Sequence, residues 1–138
     1  MVKNLANVVN PEPQPLEVVN RIINACADAK GKDIRVLDVS TVFGLADYFV
    51  IVSGRSDRQV QGITNKVLDT LLESNLKPIN VEGIDEGHWV LADFGDVILH
   101  VFYEPVRAHY DIESLWFRAR KLEIKNDKNQ NGIVLRAA

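Results

Sequence analysis

The residues best suited to chemistry or recognition crowd into one stretch, Gly87 to Trp116, which holds both tryptophans and all three histidines. His88, His100 and His109 have none of the tight spacing of a metal site, such as H-x-x-x-H, so no metal centre is expected. A strand histidine such as His100 reads instead as a core or interface group. The carboxylates are no more promising. Asp93 and Asp96 are the nearest pair, and neither stands in the acidic-x-acidic strand pattern that would hold magnesium for nucleotidyl transfer. The turn Ser53-Gly54-Arg55-Ser56 could cradle an anion at a helix start, but Ser56 with Gln59 three residues on spells a capping box, the simpler reading. Asp93-Phe94-Gly95 matches a kinase tripeptide without the glycine-rich loop, lysine or catalytic loop that would give it meaning. No serine sits in a G-x-S-x-G elbow. Cys26, on an apolar helical stripe with nothing nearby to lower its pKa, reads as a buried thiol. Neither catalysis nor a cofactor is expected.

Recognition is better served. Trp89, Tyr103, Tyr110 and Trp116 lie close together with Arg107 and His109 between them, and Trp, Tyr and Arg are the side chains that anchor protein interfaces. Trp89–Asp93 and Val97–Tyr103 have the β-branched and aromatic content of strands, separated by Phe94-Gly95, and form a hairpin. The expected register sets Asp93 opposite Asp96, Leu91 opposite Ile98 and Trp89 opposite His100. Alternation then gives an aliphatic face of Val90, Ala92, Val97, Leu99 and Val101. The other face carries Trp89, Leu91, Asp93, Asp96, Ile98 and His100, a mixture that points to a partner. Trp116 reads as core, in a small helix with Ile112 and Leu115; for Trp89 both core and interface remain open.

The elements that must position this stretch follow from periodicity. Pro15 opens a helix whose stripe is Leu16, Val19, Ile22, Ile23 and Cys26, stopped at Lys30-Gly31. Ile34–Val39 is a first strand, and Tyr48–Ser53, apolar throughout, a central one. Ser56 caps a long helix with Val60, Ile63, Val67, Leu68, Leu71 and Leu72 on one face. Residues 77–82 form an edge strand before the hairpin. The order predicts one α/β domain, a single mixed sheet of about five strands packed by helices. Residues 1–14 form a loose arm, 15–116 the domain, and 117–138 a basic, loosely ordered tail.

The 138 residues are 46% hydrophobic and 25% charged, ordinary for a globular protein, and suffice for one core without staples. A single cysteine excludes an internal disulfide and suits a reducing cytoplasm. No apolar run nears the roughly 20 residues of a membrane span. The net charge of −3 argues against a general nucleic-acid binder. Charge is uneven, because residues 117–138 hold 6 basic and 2 acidic residues against 10 and 17 in the rest.

Four segments carry a specific resemblance: KDIRVLDVS from Lys32, ADYFVIVSGRSDRQVQ from Ala46, VEGIDEGHWVLADFGDVILHVF from Val81 and RAHYDIESLW from Arg107. From Pro15 to Trp116 the chain resembles the ribosomal silencing factor, or Iojap-related, family. The resemblance implies a nucleotidyltransferase-like fold without the catalytic carboxylates and a factor that is not an enzyme. Such a factor binds the large ribosomal subunit through the ribosomal protein numbered fourteen, sterically blocks joining of the small subunit, and is a homodimer when free. It implies a partner-binding role for Trp89; Asp93, His100, Arg107 and Tyr110 are expected beside it. The basic tail, outside the resemblance, could touch ribosomal RNA. A nucleotidyltransferase-like enzyme and a dimeric RNA-binding module are the alternatives.

Overall fold

A computed structural model of the chain describes residues 13–127 and 132–137. Helix α1 spans Pro15–Asp28, followed by strands β1 (Lys32–Asp38) and β2 (Tyr48–Gly54) and helix α2 (Asp57–Leu72). Strands β3 (Asn80–Glu82), β4 (Trp89–Asp93) and β5 (Val97–Tyr103) come next, then short helices α3 (Glu104–Tyr110) and α4 (Ile112–Leu115). The described chain closes with β6 (Arg120–Asp127) and β7 (Gly132–Ala137). Most of the expected arm, residues 1–12, lies outside the described residues.

The strands make one mixed sheet in the order β3-β4-β5-β2-β1-β6-β7. Only β2 and β5 run parallel; the other neighbours are antiparallel. The apolar run Tyr48–Ser53 lies at the centre and the proline-led strand at an edge, as the sequence predicts. Two strands more than expected come from the tail. Leu122 and Ile124 alternate on β6 and pack against the core, and β6 pairs with β1 through Leu37 opposite Lys121. The expected loose tail is therefore corrected to a hairpin over most of its length. Its basic charge masked a period of two that is present in R-K-L-E-I-K-N-D.

Both long helices cover one face of the sheet. Val19, Ile22 and Ile23 of α1 and Val60, Ile63, Val67 and Leu71 of α2 are all 0% exposed, packed with Val50, Val52, Val90, Leu99 and Val101. Burying one such side chain contributes about 1.5–3 kcal/mol, so this layer dominates stability. Cys26 belongs to it, and burial pushes its thiol up to about 12. Gly31 is needed where α1 meets β2, because a Cβ there would lie 2.6 Å from Val52 Cγ2. The helix-ending left-handed residue is Lys30 (φ 67°), not the glycine. At the start of α2, Ser56 Oγ accepts from the Gln59 amide (3.1 Å), while Gln59 Oε1 accepts from the Arg55 amide (2.6 Å). The Ser56 hydroxyl oxygen and the Arg55 amide are thus engaged in starting the helix.

The opposite face has a smaller apolar cluster of Leu37, Val39, Phe49, Ile51, Phe102, Ile112 and Ala119. Its cover comes from the 40–47 connection and residues 104–119, through Phe43, Val106, Ile112, Trp116 and Ala119. The cover leaves β4 and the near side of β5 half open.

Candidate partner-binding face

The hairpin turns one residue later than the sequence suggests. Gly95 (φ 90°) and Asp96 form its two-residue loop, closed by the Phe94 amide donating to the Val97 carbonyl (2.9 Å). A positive φ at the first central position suits glycine and the twist of the strands. Asp93 Oδ1 accepts the Gly95 amide at 2.8 Å and fixes the turn. Asp93 therefore faces Ile98, Leu91 faces His100, and Trp89 faces Phe102, correcting the expected pairs. The slip amounts to two positions, so every side chain keeps its face. Val90, Ala92, Val97, Leu99 and Val101 are buried under the helices, and Trp89, Leu91, Asp93 and Ile98 are half-buried on the other side.

Trp89 is built into that side from three directions. Its ring stacks on Phe102 (4.9 Å between centroids, 29° between planes) and meets Tyr110 at 5.1 Å. Its Nε1–H donates diagonally across the strands to His100 Nδ1 at 3.2 Å. Behind it, Gly83 (φ 86°) passes so close that a Cβ would lie 2.1 Å from the Trp89 carbonyl oxygen. Trp89 is thus neither a full core residue nor an open one: one side of the ring is packed and the residue is half-buried.

His100 does not reach the surface. It is 4% exposed, edge-to-face with Phe49 (5.0 Å), and burial lowers its pKa from 6.5 to about 4. With Nδ1 accepting from Trp89, the neutral ring carries its proton on Nε2, which has no hydrogen-bond partner among the described residues. His100 thus holds Trp89 from beneath rather than contacting a partner directly. Arg107, also expected at the interface, is 9% exposed and bonded inward to Ser53, Asp33 and Glu113. Tyr110 is 55% exposed and stands as a wall beside Trp89. Of the five expected residues, Trp89, His100 and Tyr110 come together. Asp93 lies on the same face roughly 13 Å along the strand, and Arg107 is turned away.

The sequence reading missed the surroundings of this face. Asp47 is joined to the hairpin tip by its amide donating to the Asp96 carbonyl (2.8 Å), which gathers Asp47, Asp93 and Asp96 at one end. None of the three is in an ion pair among the described residues. Leu45 (81%), Leu115 (73%) and Phe117 (73%) are exposed apolar residues, and Leu115 and Phe117 line a groove with Thr41 and Val42. Leu115 thus points outward rather than into the core, while Trp116 packs edge-on against Phe43 (5.2 Å) and Phe49 (5.3 Å). Phe102 shares the parity of Ile98 and His100, so its place beneath Trp89 was readable from alternation. No sequence signal joined Asp47 to Asp96.

No three His, Cys, Asp or Glu residues among the described residues are grouped to hold a metal ion. A polar cleft of about 490 Å³ lined by Asp33, Arg35, Ser53, Glu104, Arg107, Asp111 and Glu113 lies near the end of the parallel pair β2–β5. Such strand ends commonly bind ligands in α/β sheets, yet its buried cation is neutralised by Glu113 at 3.0 Å. No helix among the described residues is long and apolar enough to cross a membrane.

A profile of the family described as "Ribosomal silencing factor during starvation" matches residues 12–134. The chain belongs to the ribosomal silencing factor family. Its relatives include the Bacillus subtilis protein named "Ribosomal silencing factor RsfS", 41% identical over 106 residues, or 77% of this chain and 90% of that one. A crystal structure from Chromobacterium violaceum shares the fold with a TM-score of 0.75 and 40% identity, over 76% of this chain and 88% of that chain. A more distant relative is the mouse protein named "Mitochondrial assembly of ribosomal large subunit protein 1". It is 28% identical over 101 residues, 71% of this chain and 44% of that protein. The silencing-factor profile runs past Trp116 into β6 and β7, further than the resemblance read from the sequence.

Proposed function

We propose that this protein represses translation without enzymatic chemistry. It docks through the Trp89 face on the joining surface of the large ribosomal subunit, at the ribosomal protein numbered fourteen, and sterically excludes the small subunit. The observation that carries this reading is a half-open sheet face with an aromatic centre and an unpaired acidic rim. Ribosomal proteins are basic as a class, and complementary potentials speed encounter and fix orientation. The names of the relatives support the target: silencing of ribosomes in one, large-subunit assembly in another. A cytoplasmic location belongs to the same proposal. The exposed apolar residues Leu115 and Phe117, together with Tyr110 beside Trp89, support association with a second copy when the protein is free.

The β6–β7 hairpin weakens the idea of a basic strip on ribosomal RNA. Arg120 is paired with Asp38 at 2.9 Å, and Glu123 stands opposite Arg136 in the β6–β7 register.

Co-sedimentation tests the proposal. The protein should travel with isolated large subunits and not with small subunits or intact ribosomes. Equal binding to intact ribosomes would overturn the blocking mechanism, and failure to bind large subunits would overturn the docking.

A further inference from the structure

The α3–α4 segment is a cover that does not hold itself in place. Its helices have 7 and 4 residues, far below the length at which a helix is stable alone. They meet at Asp111, a non-glycine residue in the left-handed region (φ 48°). Tyr110, at the end of α3, is more than half exposed, and its packing in the structure is against the rings of Trp89 and His109.

One side chain hydrogen-bonds this cover to the sheet, beside the packing of Val106 and Ile112. Arg107, three residues before Tyr110, sends Nη1 to the Asp33 carbonyl of β1 (2.7 Å) and to Ser53 Oγ of β2 (2.8 Å). Its Nε and Nη2 grip Glu113 of α4 as a fork, at 3.1 and 3.0 Å. Four bonds from one planar group thus join two strands and both short helices. Such fork geometry fixes direction as well as distance. Four of the five N–H groups of the guanidinium are used in these bonds.

We infer that Arg107 is a positioning residue for the docking face: with Glu113 it sets the α3–α4 cover so that Tyr110 closes against Trp89. This rests on the docking reading above and assigns Arg107 no contact with the ribosome. A partner then meets a preformed wall instead of ordering a loose one, which spares affinity the cost of that ordering.

The test uses Glu113→Ala, which opens the fork from its more exposed side and leaves the bonds to Asp33 and Ser53 in place. Arg107→Lys, which cannot reproduce the fork, serves as a second variant. The two indole N–H resonances of the full-length protein are assigned with Trp116→Phe. Glu113→Ala should shift the Trp89 resonance and speed amide exchange in residues 104–116, while exchange in β2 and β5 stays slow. Large-subunit affinity should fall about tenfold, or 1.4 kcal/mol. An unchanged Trp89 resonance and unchanged exchange would overturn the role, as would wild-type affinity with a shifted resonance. Trp89→Ala separates the two readings. If that variant binds large subunits normally, the docking assignment falls, and the role of Arg107 falls with it. If it binds poorly while Glu113→Ala binds normally, only the positioning role is overturned.

Discussion

Trp89 and His100 form a unit whose two halves make opposite demands. The indole needs an acceptor, and the imidazole supplies one only while neutral. Removal of the ring by Trp89→Ala costs stability as well as binding. A fully buried tryptophan costs about 3–5 kcal/mol on truncation, so a half-buried one should cost about 2 kcal/mol in urea unfolding. Large-subunit affinity should drop by about 2 kcal/mol or more, roughly thirtyfold, as for interface anchors. Wild-type affinity in a folded variant would remove Trp89 from the interface. The pH dependence follows from the lowered pKa of His100. The unfolded chain binds a proton below pH 6.5, whereas the folded one resists until about 4. Stability should therefore fall as pH drops through that window and level off below it, by an amount on the order of 3 kcal/mol. Asp38 acts in a different range. Its carboxylate is held below 3.8, first by the Ser40 hydroxyl, so its contribution is lost only at lower pH. His100→Gln should flatten the decline between pH 6.5 and 4, and an unchanged slope would place its origin elsewhere.

The β6–β7 hairpin decides how β1 is finished at the level of elements. Without β6, β1 would become an open edge, and Leu122 and Ile124 would leave the helix-side core. A chain ending at Phe117 should lose about 3 kcal/mol of stability, given about 1.5–3 kcal/mol for each fully buried aliphatic side chain. It should also self-associate as concentration rises, because an unpaired edge templates pairing. Unaltered thermal unfolding of this truncated chain would show that the hairpin is not integral to the fold. The β4–β5 hairpin shows the converse, a local error without structural consequence. The turn slipped by one residue and the register by two, yet the faces stand because side chains repeat every second residue.

For the whole molecule, the exposed apolar rim predicts association of the free protein. Light scattering should give twice the 15.5 kDa chain mass, falling to one chain mass with Leu115→Lys and Phe117→Lys combined. A monomer mass for the wild-type chain at every concentration would refute this association. How much of this was legible beforehand varies with the range of the interactions involved. The sequence by itself determined the two long helices, the central strand, the capping of α2 and the hairpin's two faces. All of these depend on local periodicity or on residues within a few positions of one another. The tertiary structure alone decided that His100 and Arg107 are inside, that Asp47 joins Asp96, and that Tyr110 rather than Arg107 stands beside Trp89. Those outcomes turn on contacts such as Arg107 to Ser53 and Asp33, 54 and 74 residues apart in the chain. No periodicity carries such information: which end of an amphipathic side chain meets water is set by what the fold brings against it.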